Sequence, residues 1–469
     1  MKTPDEPSAL LPPNLLAAMQ RQADPLADDT VARMLGPWPA EAAAGSDEHW
    51  QRLAVITQML SRWTDNASLS AAPVQGVDPV LAQALNDYVQ AGRQLPAWAE
   101  PAKLLRAEQI FMEHGALSCI LLFCASLPEC YVIPDLSSVL HASGQLEAHT
   151  EYRIRATAAM IFPVMMRGGL TREEGGGVAQ VLKVRLIHAT IRNLILRGSP
   201  QAALAGPGNV PALPLWEGTQ NMHQSFYAGG WNLARDGLPC NQSQLAYTLL
   251  TFSYVFLRSL RRLGIGLTHD DEEAYLHAWN VVGHVLGIES SLMVHTMEDS
   301  ALLLAQLQAG GRAQQLEPDP RPGLSEALMQ TMEQVIPWGV VRPFPRLMTA
   351  DLCGAHIMND LGLKAQVPWL SRLLFVLLLG TARRVDRLAR SIWPNFSISR
   401  MLTRVLGYHF MARILMDQTR PLKLPEGLLE QAGQMMDNWS TDPHAPHWLA
   451  SLESRLTTRV RWFSGTAKA

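Results

Sequence analysis

The chain has 469 residues and a mass of 51.8 kDa, with 48% hydrophobic residues, 17% charged residues and a formal net charge of −3. That length holds two or three average domains, or one large domain with tails, and the apolar content is ample for a large buried core. The nearly balanced charge offers no electrostatic footprint for nucleic acid, so that partner class is set aside. Five cysteines (Cys119, Cys124, Cys130, Cys240, Cys353) form no CxxC pair. Two of them lie in an apolar run, where a free thiol behaves as a small hydrophobe, which fits a reducing compartment. The opening, MKTPDEPSALLPPN, has neither a basic n-region nor an apolar h-region, so a cytoplasmic location is expected.

In chain order, residues 1–45 are rich in Ala, Pro, Asp and Glu and predict a loosely held arm with one short helix. From Asp47 to Trp63 the apolar positions Trp50, Leu53, Ala54, Ile56, Leu60 and Trp63 follow a helical period, and a further helix is expected over Pro79–Tyr88. Pro101–Leu127 is the first strongly buried element. Its second half, ALSCILLFCASL, is uncharged on every face yet too short to span a bilayer, so it reads as core.

The stretch from Arg153 to Arg192 places a glycine-rich loop between two apolar helices, with Pro163 a candidate kink and Gly168 and Gly169 helping to end the first. Residues 198–230 exceed ordinary loop length and predict a binding or lid loop. Asn241 with Gln244 caps a helix expected to run to Leu263, carrying the stripe Leu245, Leu249, Phe252, Phe256, Leu260 and Leu263. Thr268 with Asp271 opens another helix, reaching Leu286. A proline-rich break at Pro318, Pro320 and Pro322 precedes a helical run over 323–363. Last comes the apolar run Trp369–Gly380, followed by Arg383, Arg384, Arg387 and Arg390. That run fits either a core helix with a solvated arginine face or an interfacial segment, and its 12 residues favour core. Peripheral membrane association is the most it allows. Strand signals are nearly absent and no internal repeat is found. The expected fold is therefore all-α.

Several chemistries are excluded by missing motifs: no GxxxxGK[ST] loop, no GxSxG elbow, no HExxH, no ExxH pair and no CxxCH. His188 is the sharpest candidate site residue. Val181, Val184, Ile191 and Ile195 share its helix face, and an imidazole in apolar surroundings needs a partner for its ring nitrogens. A core histidine bonded to a backbone carbonyl is the plainer reading. Arg153 and Thr157, four apart, share a face and offer a charge and a hydrogen bond, or are an ordinary surface arginine and a back-bonded threonine. Glu273, His277 and His284 also share a face, but they spread over too many turns for one ion.

Taken together, RIRAT (Arg153–Thr157), VRLIHATIRN (Val184–Asn193), the segment Leu238–Thr268 and EEAYLHAWNVVGHVLGI (Glu272–Ile288) resemble the latex-clearing rubber oxygenases and the fungal MpaB-type oxygenase. The resemblance spans roughly residues 95–300, with a weaker continuation through Asp351–Trp369. It implies one large helical domain over 46–400 with a globin-like core binding haem b, and a C-terminal helical extension over 401–469. It also implies that His188 is the iron ligand and that Arg153 and Thr157 belong to the haem-site polar network. Some relatives carry a lysine just before the threonine; Ala156 stands there in this chain, so that distal cap does not carry over. Glu129, which follows the buried helix directly, is the candidate catalytic base. The implied reaction is cleavage of a C=C bond of an isoprenoid or prenylated apolar substrate with O2. The alternative is a non-catalytic helical haem- or lipid-binding protein that retains the fold.

Overall fold

The computed structural model describes residues 11–389 except 39–46, 71–75, 135–138, 140–149, 215–220, 313–316, 318, 335, 337 and 364–366. The expected extension over 401–469 lies outside the described residues. As anticipated, the architecture is all-α: the strands among the described residues are two dipeptides.

The chain opens with α1 (Pro13–Gln20), α2 (Pro25–Leu35), α3 (Asp47–Ser61) and α4 (Pro79–Gly92). Next, α5 (Pro101–Glu113) leads into α6 (Gly115–Leu121), a π-helical turn (Leu122–Ser126) and α7 (Leu127–Cys130). The central pair is α8 (Thr150–Met165) and α9 (Gly177–Leu196). An excursion follows: α10 (Pro200–Ala205), β1 (Asn209–Val210), α11 (Met222–Ala228), β2 (Trp231–Asn232) and α12 (Leu233–Asp236), with β1 and β2 paired antiparallel. The remainder comprises α13 (Gln242–Phe252), α14 (Tyr254–Arg262), α15 (His269–Leu286), α16 (Met297–Arg312), α17 (Arg321–Gln334), α18 (Phe344–Cys353), α19 (Ala355–Asp360) and α20 (Trp369–Ala389).

The expected caps are present. Asn241 Oδ1 accepts from the Gln244 amide at 3.0 Å, and Thr268 Oγ1 accepts from the Asp271 amide at 3.2 Å, each satisfying an amide that has no partner within its own helix. The helix expected from Cys240 to Leu263 is interrupted at Ser253, whose hydroxyl donates to the Leu249 carbonyl at 2.9 Å. Such back-bonding bends helices. The long connection at 198–230 is not a bare loop: its described parts form two short helices and a ribbon. Pro163 stays inside α8.

α9 is the hub, packing against α2, α8, α11 and α15. Val181, Leu182, Leu186 and Leu194 on it are completely buried, each contributing about 1.5–3 kcal/mol. The turn joining α8 to α9 is closed by backbone contact: a Cβ on Gly169 would lie 2.1 Å from the Pro163 carbonyl oxygen, and one on Gly175 would lie 2.2 Å from that of Gly168. No side chain fits there. Asn66 ties the turn from outside, donating to the Gly169 and Arg172 carbonyls at 2.9 and 2.7 Å and accepting from the Ala179 amide at 3.1 Å.

Two expectations need correction. Over residues 11–38 the supposed loose arm is folded: α2 buries Ala27, Val31, Met34 and Leu35, and Asp24 and Asp28 enter buried ion pairs with α9. The second concerns α20. Ser371, Phe375 and Leu379 are buried, with Phe375 edge-on to Phe344 of α18 at 5.3 Å. The opposite face is apolar and exposed, Trp369 reaching 75% and Val376 59% exposure. A core helix with a merely solvated arginine face does not describe it. Among the described residues no single helix is long and apolar enough to cross a membrane, and α5 passes that test only together with Leu117–Cys130, across an 89° bend.

Candidate functional site

His188 sits near the middle of α9, deep in the protein, with part of its surface still accessible. Its Nδ1 is buried and has no hydrogen-bond partner. Burial pushes its pKa down to about 4, helped by the nearby Arg192 guanidinium and opposed by Asp24, so the ring is neutral at physiological pH. The plainer expectation, a ring bonded to a backbone carbonyl, is not what is seen at Nδ1. A neutral imidazole with a buried nitrogen that lacks a partner has one bond still to make.

Two ion pairs bracket this histidine, neither anticipated from the sequence. Arg185, three residues before it, forks onto Asp24, with Nη2 to Oδ1 at 2.6 Å and Nε to Oδ2, and donates to the Val285 carbonyl at 3.0 Å. Arg192, four residues after it, bonds Asp28 at 2.9 Å and donates to the Pro239 and Cys240 carbonyls at 3.1 and 2.9 Å. Gly287, with φ of 85°, ends α15 against this pair: a Cβ there would come within 2.7 Å of the Arg185 guanidinium. The legible signal was two arginines at −3 and +4 from His188 on a largely buried helix, with an i, i+4 pair of aspartates about 160 residues upstream.

Burial raises the Asp28 pKa to about 6, with Arg192 opposing the shift and Asp24 adding to it. Because its pKa in the fold lies above the unfolded value of 3.8, protonation favours the folded chain. The stability of the parent relative to Asp28→Asn is therefore expected to grow as pH falls from about 6 to about 4; urea titrations across that range check it.

The Arg153/Thr157 helix does lie beside the His188 helix, since α8 packs directly on α9. Thr157 is half-buried and Ala156 exposed, while the Arg153 side chain lies outside the described residues. The fully buried arginine of this motif is Arg155, which the sequence reading passed over.

Glu129 belongs to a different group of helices. It is fully buried, not a solvent-facing helix end. Oε1 is paired with Arg258 of α14, Oε2 accepts from Gln308 of α16 at 3.3 Å, and its carbonyl accepts from Tyr247 of α13 at 2.6 Å. Arg258 beside it favours the ionised carboxylate, and each oxygen keeps a lone pair beyond the bond it accepts.

The second histidine group is not a metal set. Glu273 pairs with His269 at 3.1 Å, His277 Nε2 accepts from the Glu100 amide at 2.9 Å, and His284 packs edge-on to Trp98. No cluster of three or more metal-ligating side chains occurs among the described residues.

The family described as "ER-bound oxygenase mpaB/B'/Rubber oxygenase, catalytic domain" matches residues 120–385, a span that contains Glu129, Arg153, Thr157 and His188. A rubber oxygenase from Streptomyces sp. (strain K30) is 24% identical over 322 residues, 68% of each chain. The structure of a latex clearing protein in its closed state superposes with a TM-score of 0.57 at 18% identity, covering 90% of both chains, which establishes a shared fold.

Proposed function

We propose, because this chain belongs to the mpaB/B' and rubber oxygenase catalytic-domain family, that it is a haem b-dependent oxygenase cleaving a C=C bond of an isoprenoid or prenylated apolar substrate with O2. Membership makes it an oxygenase-type enzyme; the haem and the substrate class are our reading. The observation that carries it is His188: neutral, deep on the hub helix, with a buried nitrogen that no protein group satisfies.

The residues present fit a haem. His188 would hold the iron from α9, and the cofactor, when bound, would supply dioxygen activation. What the chain contributes is positioning and dryness. The Arg185–Asp24 and Arg192–Asp28 pairs fix the pitch and rotation of α9, and with it the direction of the imidazole. The Arg192 charge helps keep that ring unprotonated, as a metal-binding imidazole must be. Buried aliphatic side chains of α8 and α9 exclude water from an alkene. Arg153 and Thr157, on the helix packed against α9, would meet the carboxylate edge of the cofactor. Glu129, held ionised by Arg258, would be the group that takes an allylic proton.

The decisive test is the absorbance spectrum of protein purified after expression with haem precursor, before and after dithionite and carbon monoxide, followed by incubation with short oligoisoprenes and analysis for carbonyl products. A Soret band with carbonyl products is the expected result. A colourless protein that binds oligoisoprene without turnover would instead establish the non-catalytic lipid-binding alternative. Thr157→Ala is expected to lower haem affinity or turnover several-fold and Arg153→Ala roughly 10–100-fold, since a charge-assisted bond contributes roughly 1.5–3 kcal/mol and a neutral one about 0.5–1.5 kcal/mol. Parent-like haem content and turnover in both variants would make them ordinary helix surface.

A further inference from the structure

We infer that the exposed face of α20 is a docking surface for an anionic lipid bilayer. Trp369, Leu370, Leu373 and Val376 are 75, 48, 46 and 59% exposed, although each is large and apolar. At about 100° per residue they fall within one strip of the helix, opposite the buried Ser371, Phe375 and Leu379. A contiguous apolar strip of this kind, standing away from the core, marks a contact surface. Positions 383, 384 and 387, all arginine, continue the same strip toward the C-terminus of the helix.

Charge selects the occupant. Residues 369–390 contain five arginines and one aspartate, a local charge of +4 in a chain whose net charge is −3. A second copy docking through this face would set +4 against +4. The remaining chain, residues 391–469, carries nine basic and six acidic residues, so it too has the same sign as the strip. An anionic bilayer satisfies both halves at once. The Trp369 end enters the acyl boundary, where a tryptophan favours the interface, while the arginine end, beginning about 21 Å further along the helix axis, meets the phosphates. Because α20 is anchored to α18 through Phe375 and Phe344, the docked helix holds the whole enzyme at the surface of a phase that dissolves apolar substrates. This inference does not depend on haem or on turnover.

The test is co-sedimentation of the full chain with phosphatidylcholine vesicles, with and without phosphatidylglycerol. Binding is expected to the anionic vesicles at low salt, weak binding to the neutral ones, and release by about 0.5 M salt, where screening is short-ranged. Leu373→Asp/Val376→Asp should abolish binding. Arg383→Gln/Arg384→Gln/Arg387→Gln should weaken it roughly fivefold per arginine. All these variants should keep the parent's circular dichroism, since the apolar positions changed are exposed. An environment-sensitive dye on Leu373→Cys should shift only when anionic vesicles are added. The inference is overturned if the parent stays in the supernatant, or if both variants bind as the parent does. It is overturned equally if the dye already reports an apolar, quencher-protected site without lipid, or if the parent forms a dimer that Leu373→Asp/Val376→Asp dissolves.

Discussion

His188→Ala is expected to yield a folded protein that retains almost no haem. Changing outer-shell partners of a metal site typically costs about 10–100-fold in affinity, and removing the residue proposed to hold the iron should cost at least as much. The fold should survive because α9 is held by the other face of its helix and by ion pairs on either side of residue 188, none of which use the imidazole. Loss of the Soret band with unchanged helical circular dichroism is the predicted pair of readouts. His277→Ala and His284→Ala should keep most of the haem, because these histidines already serve the Glu100 amide and the Trp98 ring. A His188→Ala protein that purifies with full haem would sink the ligand assignment. A second readout works on the haem-free protein. The His188 pKa is depressed from 6.5 to about 4 in the fold, so the unfolded chain takes up the proton first and stability is lost as pH falls through that window. Haem-free His188→Ala should therefore lose less stability between about pH 6.5 and 4 than the haem-free parent.

The parts of this molecule that were legible in the sequence are those whose cause is local. The Asn241 and Thr268 caps, the helix carrying His188 and the glycine-rich turn before it all follow from backbone requirements that a few neighbouring residues satisfy. The failures are long-range. Asp24 and Asp28 look like solvated acids in a proline-broken segment, and nothing near them reveals that their partners are arginines on α9. Glu129 was singled out as a candidate base, but nothing near it shows that it is paired, because its arginine partner comes from α14, 129 residues later. For α20 the apolar content was plain, but composition does not tell whether one face or all of a helix finds a partner. Packing on α18 covers Phe375 and Leu379 and leaves Trp369 and Val376 outside. The apolar helix face singled out His188 and the family resemblance implied its role; that Arg185 and Arg192 hold the helix that presents it came only from the fold.

Asp24→Ala should be the most destabilising single change in the N-terminal segment. The Arg185–Asp24 pair has side-chain exposures of 10% and 4%, so removing the carboxylate leaves a guanidinium in a poorly solvated site with only the Val285 carbonyl as partner. Breaking a buried pair in this way costs about 3–5 kcal/mol, whereas an exposed pair is worth roughly 0–1 kcal/mol. The protein supplies its own control in Arg33–Asp87, also anchored on α2 but with exposures of 48% and 43%. Asp87→Ala should therefore leave the urea midpoint almost unchanged while Asp24→Ala lowers it strongly. Replacing both partners, Asp24→Ala with Arg185→Met, should recover much of the loss, because the damage comes from the stranded charge rather than from the missing attraction. If Asp24→Ala costs no more than Asp87→Ala, then α2 is not anchored through this pair, and the proposal that it sets the direction of the imidazole three residues further along α9 fails with it.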